Sequence, residues 1–305
     1  MNTREWALIA FTILSQMTVG SFLVLGIVHF YAARKKGMAE ADRMSDRALV
    51  ALVPVLGLAM LASLFHLGNP LNAPRAVTNF ATSWLSREIL ATVIFGVLAV
   101  LFTALQWFKV GPFSVRNIVA WLAAAVGLVQ VYSMARIYMV LTQPAWNTIA
   151  TPLAFFTTAF LLGSLAMGAA FVANYAIEQR KNPGCADAQC ELMRDALRGI
   201  AIASVVLLGV EFVVLPLYLG YLAIAGSAAS HSADILVNSY GTLFVLRLAL
   251  AFVGAGVMGV FLYQNAKIGT EKTLATLTYS AFAIVLVAEV MGRFLFYISE
   301  YRIGV

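Results

Sequence analysis

The feature that most limits this chain is a series of eight apolar stretches, roughly 6–31, 48–66, 88–108, 117–141, 153–177, 199–225, 240–263 and 274–298. A helix needs about 20 apolar residues to cross the hydrocarbon layer of a bilayer. No water reaches that layer to satisfy backbone N–H and C=O groups, so only helices and closed barrels can span it. Barrel strands run to about 10 residues with alternating polarity. The stretches here are far longer and lack period-two alternation. The sequence therefore predicts an all-α, polytopic integral membrane bundle of eight transmembrane helices. Only 11% of the residues are charged, against about 25% in soluble chains. Disordered, collagenous, disulfide-rich and nucleic-acid-binding classes are excluded on that ground. No polar segment is long enough for a separate soluble domain, so residues 1–305 are expected to form one transmembrane anchor domain. The first stretch is too long for a signal h-region and no A-x-A-like site follows it, so it is expected to stay as helix one.

Orientation follows from where Lys and Arg fall. Thirteen of the twenty lie in alternate loops: Arg34, Lys35, Lys36, Arg43, Arg47, Lys109, Arg116, Arg180, Lys181, Arg194, Arg198, Lys267 and Lys272. Four lie on the other side (Arg4, Arg75, Arg87, Arg302), and Arg136, Arg247 and Arg293 fall inside spans. Both termini should face outward to the periplasm, with the large loops 32–47 and 178–198 in the cytoplasm and 67–87 outside. The net charge of +6 is thus mainly a topology signal. Cys185 and Cys190 share a loop on the reducing side, where a structural disulfide is not expected; they are read as ordinary loop thiols. Ser164 and Gly168, and Ala251, Ala255 and Gly259, are spaced four apart for close helix contact. No internal repeat stands out, although two four-helix bundles would be a natural packing.

Ionisable groups inside a bilayer are costly and suggest function. With this orientation they gather in the outer half: His66 ends helix two, Glu88 begins helix three, Arg136 and Tyr138 lie near the end of helix four, Arg247 in helix seven, and Glu289 and Arg293 in helix eight. Glu211 lies nearer the middle of helix six, one turn before Pro216, where it could satisfy disturbed backbone. Glu289 and Arg293 are four apart and can pair, either to lock packing or to line a pocket. Tyr132 and Arg136 share one face, and Arg136 could also snorkel to the interface. Arg247 reads as a structural partner, and Trp84 and Trp146 as interfacial anchors.

His66 and Glu88 flank the 67–87 loop, which contains Pro70, Pro74 and several Asn but keeps Leu71, Val77, Phe80, Trp84 and Leu85. Such a loop is expected to fold back on the membrane surface. A His exchanges protons near neutral pH, and a nearby Glu can accept or relay one. With Arg136 they would form a proton-handling pocket at the outer interface. The three His suit a haem poorly: His29 and His66 lie about 30 Å apart across the membrane, and the remaining pair, His66 with His231, would need a ligand from an outer loop. No haem is expected. No H-E-x-x-H, Walker or G-x-S-x-G motif occurs, so hydrolysis, nucleotide-driven transport and a bound metal have no support.

The segment Ser63-Leu64-Phe65-His66-Leu67-Gly68-Asn69-Pro70, followed by Trp84-Leu85-Ser86-Arg87-Glu88-Ile89, resembles the membrane-anchor subunit of the bacterial dimethyl sulfoxide reductase family. So do Ala135-Arg136-Ile137-Tyr138 and the ending Ala288-Glu289-Val290-Met291-Gly292-Arg293-Phe294-Leu295-Phe296-Tyr297. The resemblance extends over the whole chain; the charged 178–198 loop with its two Cys has no counterpart in it. It implies a multi-pass anchor in the bacterial inner membrane that holds a molybdopterin catalytic subunit and a four-cluster iron–sulfur subunit. It also implies menaquinol oxidation near the periplasmic face, with electrons passed to the iron–sulfur subunit. His66 and Glu88 correspond to the family's quinol-site His and Glu; Arg75, Trp84, Arg136, Tyr138, Glu289 and Arg293 are the candidate pocket lining. Two alternatives stand beside it: a secondary transporter with an intramembrane Glu/Arg site, and a passive anchor without a quinol site.

Overall fold

The computed structural model describes residues 3–66, 73–181 and 186–303. The helices are α1 Thr3–Lys36, α2 Met38–His66, α3 Ala73–Ala76, α4 Trp84–Trp107, α5 Phe113–Tyr138, α6 Ala150–Lys181, α7 Ala186–Ile224, α8 Ser227–Asp234, α9 Gly241–Ala251, α10 Met258–Ile268 and α11 Glu271–Ile298. Two π-helical turns, Ile235–Ser239 and Phe252–Val257, carry α8 towards α9 and α9 into α10. Eight helical spans among the described residues are long and apolar enough to cross a membrane, the seventh being Gly241–Ile268. The eight expected stretches are therefore found.

Their ends differ from expectation. The 32–47 segment is not a loop: α1 and α2 run on until they meet at Gly37, whose φ of +89° is the left-handed turn that favours glycine. The 178–198 segment is likewise mostly helix, with 182–185, including Cys185, outside the described residues. The hydrophobic signal stops at the membrane boundary, but backbone hydrogen bonding does not. The overhangs carry charge that is paired across helices. Lys35 Nζ lies 2.7 Å from Glu191 and 2.5 Å from Asp195. Lys109 lies 2.8 and 2.7 Å from Asp42 and Asp46. Arg47 is paired with Glu178, and Arg194 donates to the carbonyls of Ala266 and Gly269 at 3.0 and 2.9 Å. Single exposed pairs contribute little; here they tie α1, α2, α6, α7, α10 and the turn after α4 into one end.

The opposite end holds both chain termini, because Trp6 near the start of α1 stacks on Phe294 near the end of α11 at 5.9 Å. The first and fifth spans, α1 and α6, are the most enclosed and form the axis between two four-span groups. Their polar residues turn inward: Ser15 accepts from Gln130 Nε2 at 2.5 Å, and Gln16 is fully buried. Interhelical hydrogen bonds of this kind help to hold a bundle in lipid, where apolar surface gives no net drive for helix association.

The tightest glycine contact among the described residues is between Gly20 and Gly163. A Cβ at Gly20 would stand 1.8 Å from the Ala159 carbonyl oxygen, and one at Gly163 would stand 2.3 Å from the Gly20 backbone. The expected small-residue contacts are also present but looser: a Cβ at Gly168 would stand 3.1 Å from the Thr278 side chain, and one at Gly259 would stand 3.2 Å from the Val205 side chain. Backbone cannot yield as a side-chain tip can, so Gly163→Ala should cost about 1–3 kcal/mol or more. Gly199→Ala, with open space around it, should cost far less. Thermal unfolding of the two purified variants compares them directly; equal losses would refute the tight crossing.

Candidate functional site

The intramembrane ionisable groups lie at the termini end, as the chain pattern suggests, but their partners differ. α2 ends at His66; its side chain and residues 67–72 lie outside the described residues. The chain re-enters through α3, a 3-10 turn at Val77–Asn79, and α4. Ser83 caps α4 by accepting from Ser86 N–H at 3.3 Å. Ser86 in turn donates to the Ala76 carbonyl, and Arg87 donates to the Phe80 and Ala81 carbonyls at 2.8 and 2.6 Å. This stitching fixes the start of α4, and hence Glu88, one turn inside the helix. Arg75 on α3 is exposed.

Glu88 is 4% exposed. Among the described residues its side chain accepts only from Thr92 Oγ1, at 3.4 Å, while the same hydroxyl sits 2.8 Å from the Glu88 carbonyl. Beside it Trp84 forms a hub. Arg87 and Arg136 guanidiniums lie 4.3 and 5.1 Å from its ring centroid, and Tyr132 meets it edge-on at 5.7 Å. Tyr132 and Arg136, four apart on α5, thus converge on one ring. Arg136 also approaches Met139 Sδ at 3.6 Å.

Deeper in the bundle, Tyr138 and Tyr297 share a hydroxyl–hydroxyl bond of 2.9 Å. Tyr138 packs against Trp146, Phe155 and Phe296 at 5.2–5.7 Å. Trp146 is no interfacial anchor. It is 8% exposed, stacks on Phe296 and donates Nε1–H to the Phe296 carbonyl at 2.9 Å. The 139–149 segment is held across this end by Gln143 on Glu300 at 2.9 Å and by Ile303 N–H on the Thr142 carbonyl at 3.0 Å.

The expected Glu289–Arg293 pair does not form. Arg293 Nη2 donates to Gln16 Oε1 at 2.9 Å, and its guanidinium lies 3.8 Å over the Phe155 ring. Glu289 instead accepts from Thr158 Oγ1 at 2.6 Å and lies 3.6 Å from Arg247 Nη2. Arg247 is paired with Glu211, so Glu211 serves an ion pair and not the backbone near Pro216. Gly292 makes room for this cluster: a Cβ there would lie 2.9 Å from Arg247 Nε. The Glu211–Arg247–Glu289 cluster lines a cavity of about 150 Å³ between α6, α7, α9 and α11. Spacing alone could not reveal it, because its members come from three spans.

The other His residues are placed apart. His29 lies at the charged end, with Nδ1 2.8 Å from Ser45 Oγ and Nε2 3.7 Å from Asp42. His231 is in short helix α8, not a loop, and its ring meets Tyr301 at 4.1 Å.

An eight-span helical bundle with buried carboxylates, guanidiniums and phenols gathered at one end defines a multi-pass membrane protein. The chain belongs to the DMSO reductase anchor subunit family (DmsC), whose description matches residues 1–298; it is an inner-membrane protein of the bacterial anaerobic DMSO reductase type. It is 30% identical over 305 residues to the anaerobic dimethyl sulfoxide reductase chain YnfH of Escherichia coli (strain K12), covering 99% of this protein and 96% of that one. It is 29% identical over 301 residues to an anaerobic dimethyl sulfoxide reductase chain of Haemophilus influenzae, covering 97% and 96%. It is also 36% identical over 94 residues to a sulfite dehydrogenase subunit of Allochromatium vinosum, covering 30% and 28%.

Proposed function

We propose that this protein oxidises menaquinol at the termini end, which faces the periplasm. The two electrons pass to an iron–sulfur subunit docked there, and that subunit in turn serves a molybdopterin catalytic subunit. The observation that carries the proposal is the enclosed Glu88 carboxylate, held at the start of α4. It lies at the end of the bundle where α2 terminates in His66. Menaquinol gives up two protons and two electrons to become menaquinone. A base that takes a hydroxyl proton eases electron loss. His66 is the proposed first base and Glu88 the relay or second acceptor. The Trp84 ring and the Arg136 guanidinium would wall the headgroup. The Tyr138–Tyr297 pair and Arg293 would set the charge behind it. Arg75, expected in the pocket lining, is exposed on α3 and would face the docked subunit.

The charge bias of the opposite end supports this orientation. Cysteine labelling from the periplasm should modify residues introduced at 75–80 and spare those at 36–40; the reverse pattern would overturn the electron route. Titration of the purified complex with a quinol-site inhibitor should saturate, and His66→Ala should abolish binding. Inhibitor binding that ignores this change would remove His66 from the site, and no saturable binding to the unaltered complex would leave the passive-anchor function.

A further inference from the structure

The cavity at Glu211, Arg247 and Glu289 lies apart from Glu88, on the other four-span group. We infer that it binds the hydroxylated aromatic headgroup of a lipid-soluble quinol, as a second site distinct from the one at Glu88. The inference rests on the reading that this protein handles quinol.

Three features carry it. The first is position. α1 and α6 open the two groups and are equally enclosed. In the first group, ionisable residues come from the second, third and fourth spans as His66, Glu88 and Arg136. In the second group they come from the sixth, seventh and eighth as Glu211, Arg247 and Glu289. Both sets lie in the termini half, the second reaching closer to the middle through Glu211, so the cavity is the positional counterpart of the Glu88 site.

The second is size and lining. The cavity has roughly ten times the space that one water requires. Leu153, Val214, Leu215 and Phe244 give it apolar walls suited to a ring. Leu153 and Ala154 are exposed at the bundle surface, where a tail could leave into lipid.

The third is polarity. Glu289 is 3% exposed, and its Oε1 has no hydrogen-bond partner among the described residues; nor has Arg247 Nε. A buried polar group left unsatisfied is costly. A hydroxyl can accept from a guanidinium N–H and donate to a carboxylate, so it answers both. Two carboxylates around one guanidinium disfavour an anionic headgroup such as a phosphate. A hydrocarbon chain would leave both polar atoms unanswered. A quinone carbonyl can only accept, so the reduced form should bind more tightly.

The test uses the whole complex in lipid nanodiscs, titrated anaerobically with a short-tailed menaquinol. Two equivalents are expected. Glu88→Gln should remove one, and Ala154→Trp, which plugs the mouth without touching the ion pairs, should remove the other. Glu289→Gln, which keeps the shape, should weaken the second equivalent by about ten- to a hundred-fold. One equivalent that survives both Ala154→Trp and Glu289→Gln overturns the second site and leaves the Glu88 site standing. One equivalent lost only to those two changes supports the cavity and overturns the Glu88 site. No binding at all overturns both. Acyl chains in the cavity that menaquinol does not displace also overturn the inference.

Discussion

Glu88→Gln should lower menaquinol-driven turnover of the complex by about 10²–10⁴-fold, the range attributed to a positioned acid–base group. The change keeps the shape of the side chain and removes its ability to take a proton. Thr92 Oγ1 can donate to the amide oxygen as it does to the carboxylate, and Ser83, Ser86 and Arg87 still fix the start of α4. Assembly should therefore be preserved. The control is an artificial reductant that feeds electrons directly to the partner subunits. Its activity should stay at the wild-type level, while menaquinol-driven activity falls. Loss of both would report failed assembly; normal menaquinol turnover would remove Glu88 from the proton path. His66→Gln should behave in the same way, since the two groups are proposed to act in series.

Much of the fold is legible in the sequence because lipid enforces it. Each span must satisfy its backbone within itself, so hydropathy locates all eight. The helix ends are not legible, since Arg34, Lys35, Lys36, Glu40, Asp42, Arg43, Asp46 and Arg47 end the apolar signal yet lie in helix on both sides of Gly37. The gathering of ionisable groups at one end is also legible, because depth follows from span counting. Their pairing is not. Spacing of four offers Glu289 to Arg293, but Arg247 from another helix reaches Glu289 first, and the Phe155 face and Gln16 take Arg293. The Gly20–Gly163 contact escapes for the same reason. Ala159 and Gly163 carry the four-residue small spacing, but nothing local says that Gly20 of α1 is what they meet. Trp146 is misjudged from sequence because its rim position hides that the 139–149 segment folds inward under the C-terminal residues.

Arg247→Met should destabilise the bundle by about 3–5 kcal/mol, the usual cost of stranding a buried charge by removing its partner. Methionine replaces much of the volume, so packing loss is small and the electrostatic effect dominates. Arg247 is the cation shared by Glu211 and Glu289, and all three are largely enclosed between spans. Removing it leaves two carboxylates facing one cavity, with Thr158 donating to only one of them. Glu211→Gln in the same chain takes away one of the stranded charges, and the double variant should recover a large part of the loss. Arg293→Met offers a contrast. Its guanidinium rests on the Phe155 face and Gln16, so its removal strands no carboxylate held in an ion pair and should cost less than Arg247→Met. Thermal unfolding in one detergent ranks the three variants. If Arg247→Met unfolded no earlier than Arg293→Met, or if Glu211→Gln deepened its defect, the two carboxylates would not depend on Arg247. The cluster would then hold the sixth, seventh and eighth spans together by packing alone.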